Sequence, residues 1–144
     1  MPAPFPNELV FVPLGGVGEI GMNMAAYGFG PRNSRKWIVV DCGVTFAGPS
    51  QPGIELIMAD PTFLEDNADD VLALVLTHSH EDHYGAVLDL WPAFDRPVYA
   101  TDFTAAMLSA KRLLTLAQQR DAFIVYGHSP EQWATLKKAP NFYD

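Results

Sequence analysis

The chain has 144 residues, 49% of them hydrophobic, and its 17 acidic against 9 basic side chains give a formal charge of −8. That length suits a single domain, 1–144, able to bury roughly two thirds of its unfolded surface. No stretch reaches the ~18 apolar residues of a membrane helix, MPAPFPNE shows no secretory leader, and the single cysteine, Cys42, excludes an internal disulfide framework. The expectation is a soluble, cytoplasmic protein.

Between Trp37 and Asp95 there are eleven Asp or Glu residues and no Lys or Arg. Nucleic-acid binders usually carry a basic footprint, because phosphate neutralisation dominates their affinity. This tract suits a cation site or a solvated acidic face instead, and most of its residues, Asp66, Asp69 and Asp70 among them, read as solvated.

In chain order, Leu9–Leu14, Met22–Phe29 and Lys36–Asp41 read as strands. The Gly- and Pro-rich segment Gly43–Gly53 reads as a loop. Pro61–Asp66 opens as a short helix with Asp60 as its cap. Val71–Thr77 is a continuous apolar run, as in a central strand buried on both faces. A short helix over Gly85–Leu90, a strand at Arg96–Ala100 and a helix from Phe103 to about Arg120, capped by Thr101 or Asp102, follow. Ala122–Tyr126 reads as a last strand. Ser129 and Gln132 then form a capping box for a helix running to about Lys138. Strands and helices alternate, so the fold class is α/β.

Gly16–Gly21 matches the dinucleotide pattern G-x-G-x-x-G after a strand, but the fingerprint needs a helix to open there. The following Met22–Gly30 is better strand than helix, so the glycines are read as a tight turn near a neighbouring site.

The strong signal is Thr77–Gly85, THSHEDHYG, directly after the most apolar strand. His78 and His80 can face one cation while Asp82 and His83 turn toward a second. Imidazole with carboxylate suits Zn²⁺, and also Mn²⁺ or Fe²⁺, at one or two ions. The fourth histidine, His128, follows AFIVY as the first cluster follows its own strand, and is a further candidate ligand. Asp41, ending KWIVVD, either ligates directly or, as preferred here, accepts the ring N–H of a ligating histidine. Cys42 reads as a buried small hydrophobe, and Asp102 as a helix cap.

His78-Ser-His-Glu-Asp-His83 resembles the H-x-H-x-D-H signature of the metallo-β-lactamase superfamily, and Val40-Asp-Cys-Gly43 resembles its upstream aspartate motif. Leu14–Asn23, Pro52–Glu55, Glu81 and Val98–Ala106 look like the opening of the ribonuclease J group of β-CASP ribonucleases. Val125–Leu136 and Pro140–Asp144 look instead like the tail of the N-acyl-homoserine lactonase branch, with a seam near residues 111–116, as a truncation, fusion or chimera would leave.

The resemblance implies a partial αββα fold and a zinc-dependent hydrolase of RNA phosphodiesters, or of a small ester or lactone. The first ion would be held by His78 and His80, the second by Asp82, His83 and His128, with Asp82 and His83 in catalytic roles. The superfamily's additional histidine has no counterpart between Tyr84 and Gly127. A compact metal-binding scaffold without catalysis is therefore the alternative. If a packing layer is missing, the exposed sheet face favours a homodimer.

Overall fold

The computed structural model describes residues 7–125 and 129–137. The chain divides into two units, Met1–Ala110 and Lys111–Asp144. In the first, strands β1 (Glu8–Gly15), β2 (Met24–Gly30), β3 (Lys36–Val40), β6 (Val71–Val75) and β7 (Val98–Tyr99) form one sheet in the order β1-β2-β3-β6-β7. The first three strands are antiparallel, and β3, β6 and β7 run parallel. The mixed α/β class expected from the sequence is what the chain forms.

The parallel steps need crossovers, and short helices supply them: α1 (Thr62–Glu65) between β3 and β6, then α2 (Glu81–Tyr84) and α3 (Val87–Leu90) between β6 and β7. Alternation in β2 and β3 sends Met24, Ala26, Trp37 and Val39 to one face. There they share a core with Leu64, Tyr84, Ala86, Val87, Trp91 and Phe94. Trp37 meets Phe63 edge-on at 5.0 Å. Its ring also lies so close to Gly28 that a Cβ there would stand 2.4 Å from it, which is why this strand position carries no side chain. Burying a side chain such as Leu64 or Leu74 contributes about 1.5–3 kcal/mol.

The opposite residues of the same strands stay exposed. Phe11, Tyr27 and Ile38 are cross-strand neighbours in one row, and Leu9 pairs with Phe29 in the next. Leu72 in β6 is 48% exposed, so the central strand is not buried on both faces as its apolar run suggests.

Several local expectations change. Gly43–Gly53 contains β4 (Val44–Phe46), which pairs antiparallel with β5 (Leu56–Met58). Gly and Pro in the connection end both strands but do not prevent their pairing. The residues Gly16–Gly21 form a turn, with Gly16, Gly18 and Gly21 at φ of 82°, 82° and 92°, and the chain leaves it as strand β2. No helix opens there to receive a pyrophosphate, which removes the dinucleotide reading.

Helix α1 starts one residue later than expected, with Pro61 rather than Asp60 at its N-cap, and Asp60 Oδ1 accepts the N–H and hydroxyl of Thr62 at 2.9 and 2.5 Å from the residue before it. Helix α4 (Asp102–Gln119) is capped by Thr101, whose Oγ1 accepts from Thr104 N at 3.3 Å. Asp102 lies in the first turn, where a negative charge suits the helix dipole. Asp70 pairs with Lys36 Nζ at 2.5 Å on the solvent-exposed surface.

In the second unit, the described part of the expected strand Ala122–Tyr126, Ala122–Val125, is irregular, and Tyr126 lies outside the described residues. Helix α5 (Pro130–Thr135) starts at Ser129, whose side chain accepts from Gln132 N as the capping box requires. The Gln132 amide donates to Ile124 O at 2.7 Å.

Candidate metal centre

Asp41 follows β3 and Thr77 follows β6, so the parallel pairing of these strands sets both residues at the same sheet end. Asp41 N donates to Val75 O at 2.9 Å, prolonging the ladder by one step. The Asp41 backbone then turns to φ 61°, a left-handed conformation that Asp tolerates better than most residues. That turn aims the carboxylate back into the protein, where the residue is 5% exposed.

A buried carboxylate must be hydrogen-bonded, and Asp41 is. Its Oδ1 accepts from Thr77 N at 2.8 Å, and the Thr77 hydroxyl donates to the same carboxylate at 2.9–3.0 Å. Oδ2 lies 2.8 Å from His83 Nδ1. A carboxylate only accepts, so His83 holds a proton on Nδ1, and the neutral ring then has its lone pair on Nε2. The Thr77 hydroxyl proton is committed to Asp41, so its oxygen accepts at 3.0 Å from His78 Nδ1. His78 therefore also presents its Nε2 lone pair. One buried carboxylate thus sets the orientation of two histidines, one directly and one through a threonine.

The resulting donor atoms fall into two pairs. His78 Nε2 and His80 Nδ1 are 3.1 Å apart, and His83 Nε2 and Asp82 Oδ2 are 3.4 Å apart. Two ligands about 2.0–2.1 Å from one tetrahedral zinc ion stand about 3.3 Å from each other. The donor chemistry and both spacings therefore fit a divalent ion. Among the described residues, no group of three or more His, Cys, Asp or Glu side chains converges on a single ion position, so each pair offers two donor atoms. His128 lies outside the described residues.

Backbone contacts hold this arrangement in place. Cys42 N donates to His83 O at 2.8 Å, and Asn23 N donates to Asp82 O at 2.9 Å. Gly43 packs directly beneath the Asp82 carbonyl, where a Cβ would stand 1.8 Å from the oxygen. Cys42 is fully buried, and burial together with the charges of Asp89 and Asp41 pushes its thiol up to about 12. It stays protonated and takes no nucleophilic role, in agreement with its reading as a small hydrophobe.

The motif reading named His78, His80, Asp82 and His83, and the fold brings all four to one sheet end beside Asp41. It gave no role to Thr77, Asn23 or Gly43. Thr77 directly precedes the first histidine and offered the one local signal, since a hydroxyl there can orient the neighbouring ring.

A family model described as the metallo-beta-lactamase superfamily matches residues 32–133. The chain belongs to that superfamily. It is 59% identical over 106 residues to a ribonuclease J of Sinorhizobium meliloti, covering 74% of this chain and 19% of the relative. It is 45% identical over 101 residues to a ribonuclease J of Mycobacterium tuberculosis, covering 68% and 17%. A ribonuclease J of Helicobacter pylori is 32% identical over 99 residues, covering 69% and 14%. These relatives bear out the ribonuclease J resemblance read from the front of the chain. The chain spans less than a fifth of the length of each.

Proposed function

We propose that this chain carries the metal-binding half-site of a zinc-dependent hydrolase acting on RNA phosphodiesters. The observation that supports it is the pair of donor-atom sets, each at ligand spacing and each with a ring oriented from Asp41. His78 and His80 would hold one ion. Asp82 and His83 would hold the second. Mn²⁺ or Fe²⁺ would suit the same donors. A bound divalent ion supplies Lewis acidity and water acidified to a pKa of about 7.

The chain's own contribution is positional. Asp41 fixes the His83 tautomer, Thr77 fixes that of His78, and the Asp82 carboxylate lies beside His83 Nε2, where it can orient a water against a phosphodiester. The names of the relatives direct the substrate choice to RNA. The acidic tract offers the phosphate backbone no basic cradle, so the chain by itself is expected to bind RNA weakly.

A second reading is a metal-binding domain without catalysis. It is favoured by the two-donor pairs, since a catalytic zinc site ordinarily has three protein ligands. The single, unreactive cysteine suits a reducing cytoplasm, and among the described residues no helix is long and apolar enough to cross a membrane. The exposed row Phe11, Tyr27 and Ile38 would be the contact surface of a homodimer, which light scattering would detect as a doubled mass.

The deciding experiment measures bound zinc in the purified protein and in His80→Ala, then zinc- or manganese-stimulated cleavage of an RNA oligonucleotide. Metal lost on mutation together with metal-dependent cleavage supports hydrolysis. Metal binding without cleavage selects the scaffold. No bound metal removes both readings.

A further inference from the structure

Asn23 follows the Gly16–Gly21 turn and reaches the histidine tract sixty residues further on. Its main chain is fixed at both ends: N–H donates to Asp82 O at 2.9 Å, and C=O accepts from Gly43 N at 3.0 Å. Its side-chain nitrogen lies 3.0 Å from Asp82 O, 3.2 Å from Asp82 Oδ2 and 3.3 Å from His83 Nε2. Two of these neighbours are oxygens that only accept, which requires the amide nitrogen, not its oxygen, on this side.

In the neutral ring that a metal ligand requires, the third neighbour is also an acceptor: with the Nδ1 proton donated to Asp41, the lone pair of His83 is on Nε2. That lone pair stands 3.4 Å from Asp82 Oδ2, and the two acceptors repel each other unless something positive lies between them. The Asn23 amide is the N–H source positioned there.

We propose that Asn23 is a positioning residue that stands in for the cation at the Asp82–His83 pair. Without metal, its N–H groups satisfy Asp82 and His83 Nε2 and hold both donor atoms at ligand spacing. With a cation held by the pair, Asn23 would release His83 Nε2 and keep Asp82, so that neither residue would have to turn. The inference rests on the reading that Asp82 and His83 hold a divalent ion. It explains why the turn before β2 ends against the histidine tract rather than in solvent.

The test uses Asn23→Ala and Asn23→Leu, the second keeping the side-chain volume without a donor. Zinc titrations in a His80→Ala background isolate the Asp82–His83 pair. Loss of an outer partner of a ligand typically weakens metal binding about 10- to 100-fold, and both variants are expected to fall in that range. In the metal-free protein, the ring-nitrogen NMR signal of His83 Nε2 should sit at the position of a hydrogen-bonded lone pair and move to the unbonded position in both variants. Zinc added to the parent protein should shift the Asn23 side-chain amide signals. Unchanged zinc affinity in both variants, or an unmoved Nε2 signal, overturns the inference. If the parent protein binds no zinc yet Nε2 responds to the variants, the stand-in hydrogen bond is upheld and the metal reading is what fails.

Discussion

Asp41→Asn tests the orienting carboxylate at nearly constant shape. Asn tolerates the left-handed backbone that Asp41 adopts, so the φ of 61° adds little cost. The side-chain oxygen can still accept from Thr77 N at 2.8 Å. The new amide nitrogen then replaces Oδ2 and points a donor at His83 Nδ1, which already carries a proton. The ring escapes by moving its proton to Nε2, which removes the lone pair from the metal side. One charge-assisted hydrogen bond, worth about 1.5–3 kcal/mol, becomes a neutral one worth about 1 kcal/mol. The expected stability loss in urea unfolding is therefore about 0.5–2 kcal/mol, with the fold intact. Metal affinity at the Asp82–His83 pair should fall about 10- to 100-fold by calorimetry. Undiminished affinity in a folded variant would show that Asp41 does not set the His83 tautomer.

Three further outcomes are expected. Gly43→Ala places a Cβ 1.8 Å from the Asp82 carbonyl oxygen, so the tract must shift; a loss of about 3 kcal/mol or more in urea unfolding is expected, by the cost of overpacking, and a neutral result would mean the close approach is not maintained in solution. Thr77→Val keeps the Thr77 N to Asp41 bond but removes the hydroxyl between Asp41 and His78; stability should drop by about 1–2 kcal/mol and zinc binding at the His78–His80 pair should weaken selectively, as titration in an Asp82→Ala background would show. Cys42 titrates near 9.0 when unfolded but at about 12 when folded. The folded state thus retains its proton over that window, so this contribution to stability is complete below pH 9 and declines as pH rises toward 12. Native protein at pH 8 should resist iodoacetamide and react once unfolded, whereas rapid native alkylation would contradict the burial.

The chemistry-bearing residues were legible because they are local. His78, His80, Asp82 and His83 lie within six positions after an apolar strand, and a strand followed by a ligand-rich loop reads directly from hydropathy and residue type. The turn reading of Gly16–Gly21 was likewise settled locally, by the strand-like residues that follow it. Less of the secondary structure could be read this way. Gly43–Gly53 hides the β4 strand because a three-residue strand has no pattern of its own and exists through its partner β5. Ala122–Val125 has the composition of a strand, but strand identity needs a ladder, and in the structure the segment is irregular.

The sequence by itself determined the α/β class, the strand-end placement of the histidine tract and the preference for a cation over a nucleotide, because each follows from residue type and short-range periodicity. Only the tertiary structure decided how the donor atoms are set against one another. Asp41 meets Thr77 and His83 across 36 and 42 residues, and Asn23 meets Asp82 across 59. Those contacts arise from strand order and parallel pairing, which bring separate loops to one sheet end. Ring tautomers, hydrogen-bond direction and the need for glycine at position 43 depend on distances of a few tenths of an ångström, and only the folded chain sets them.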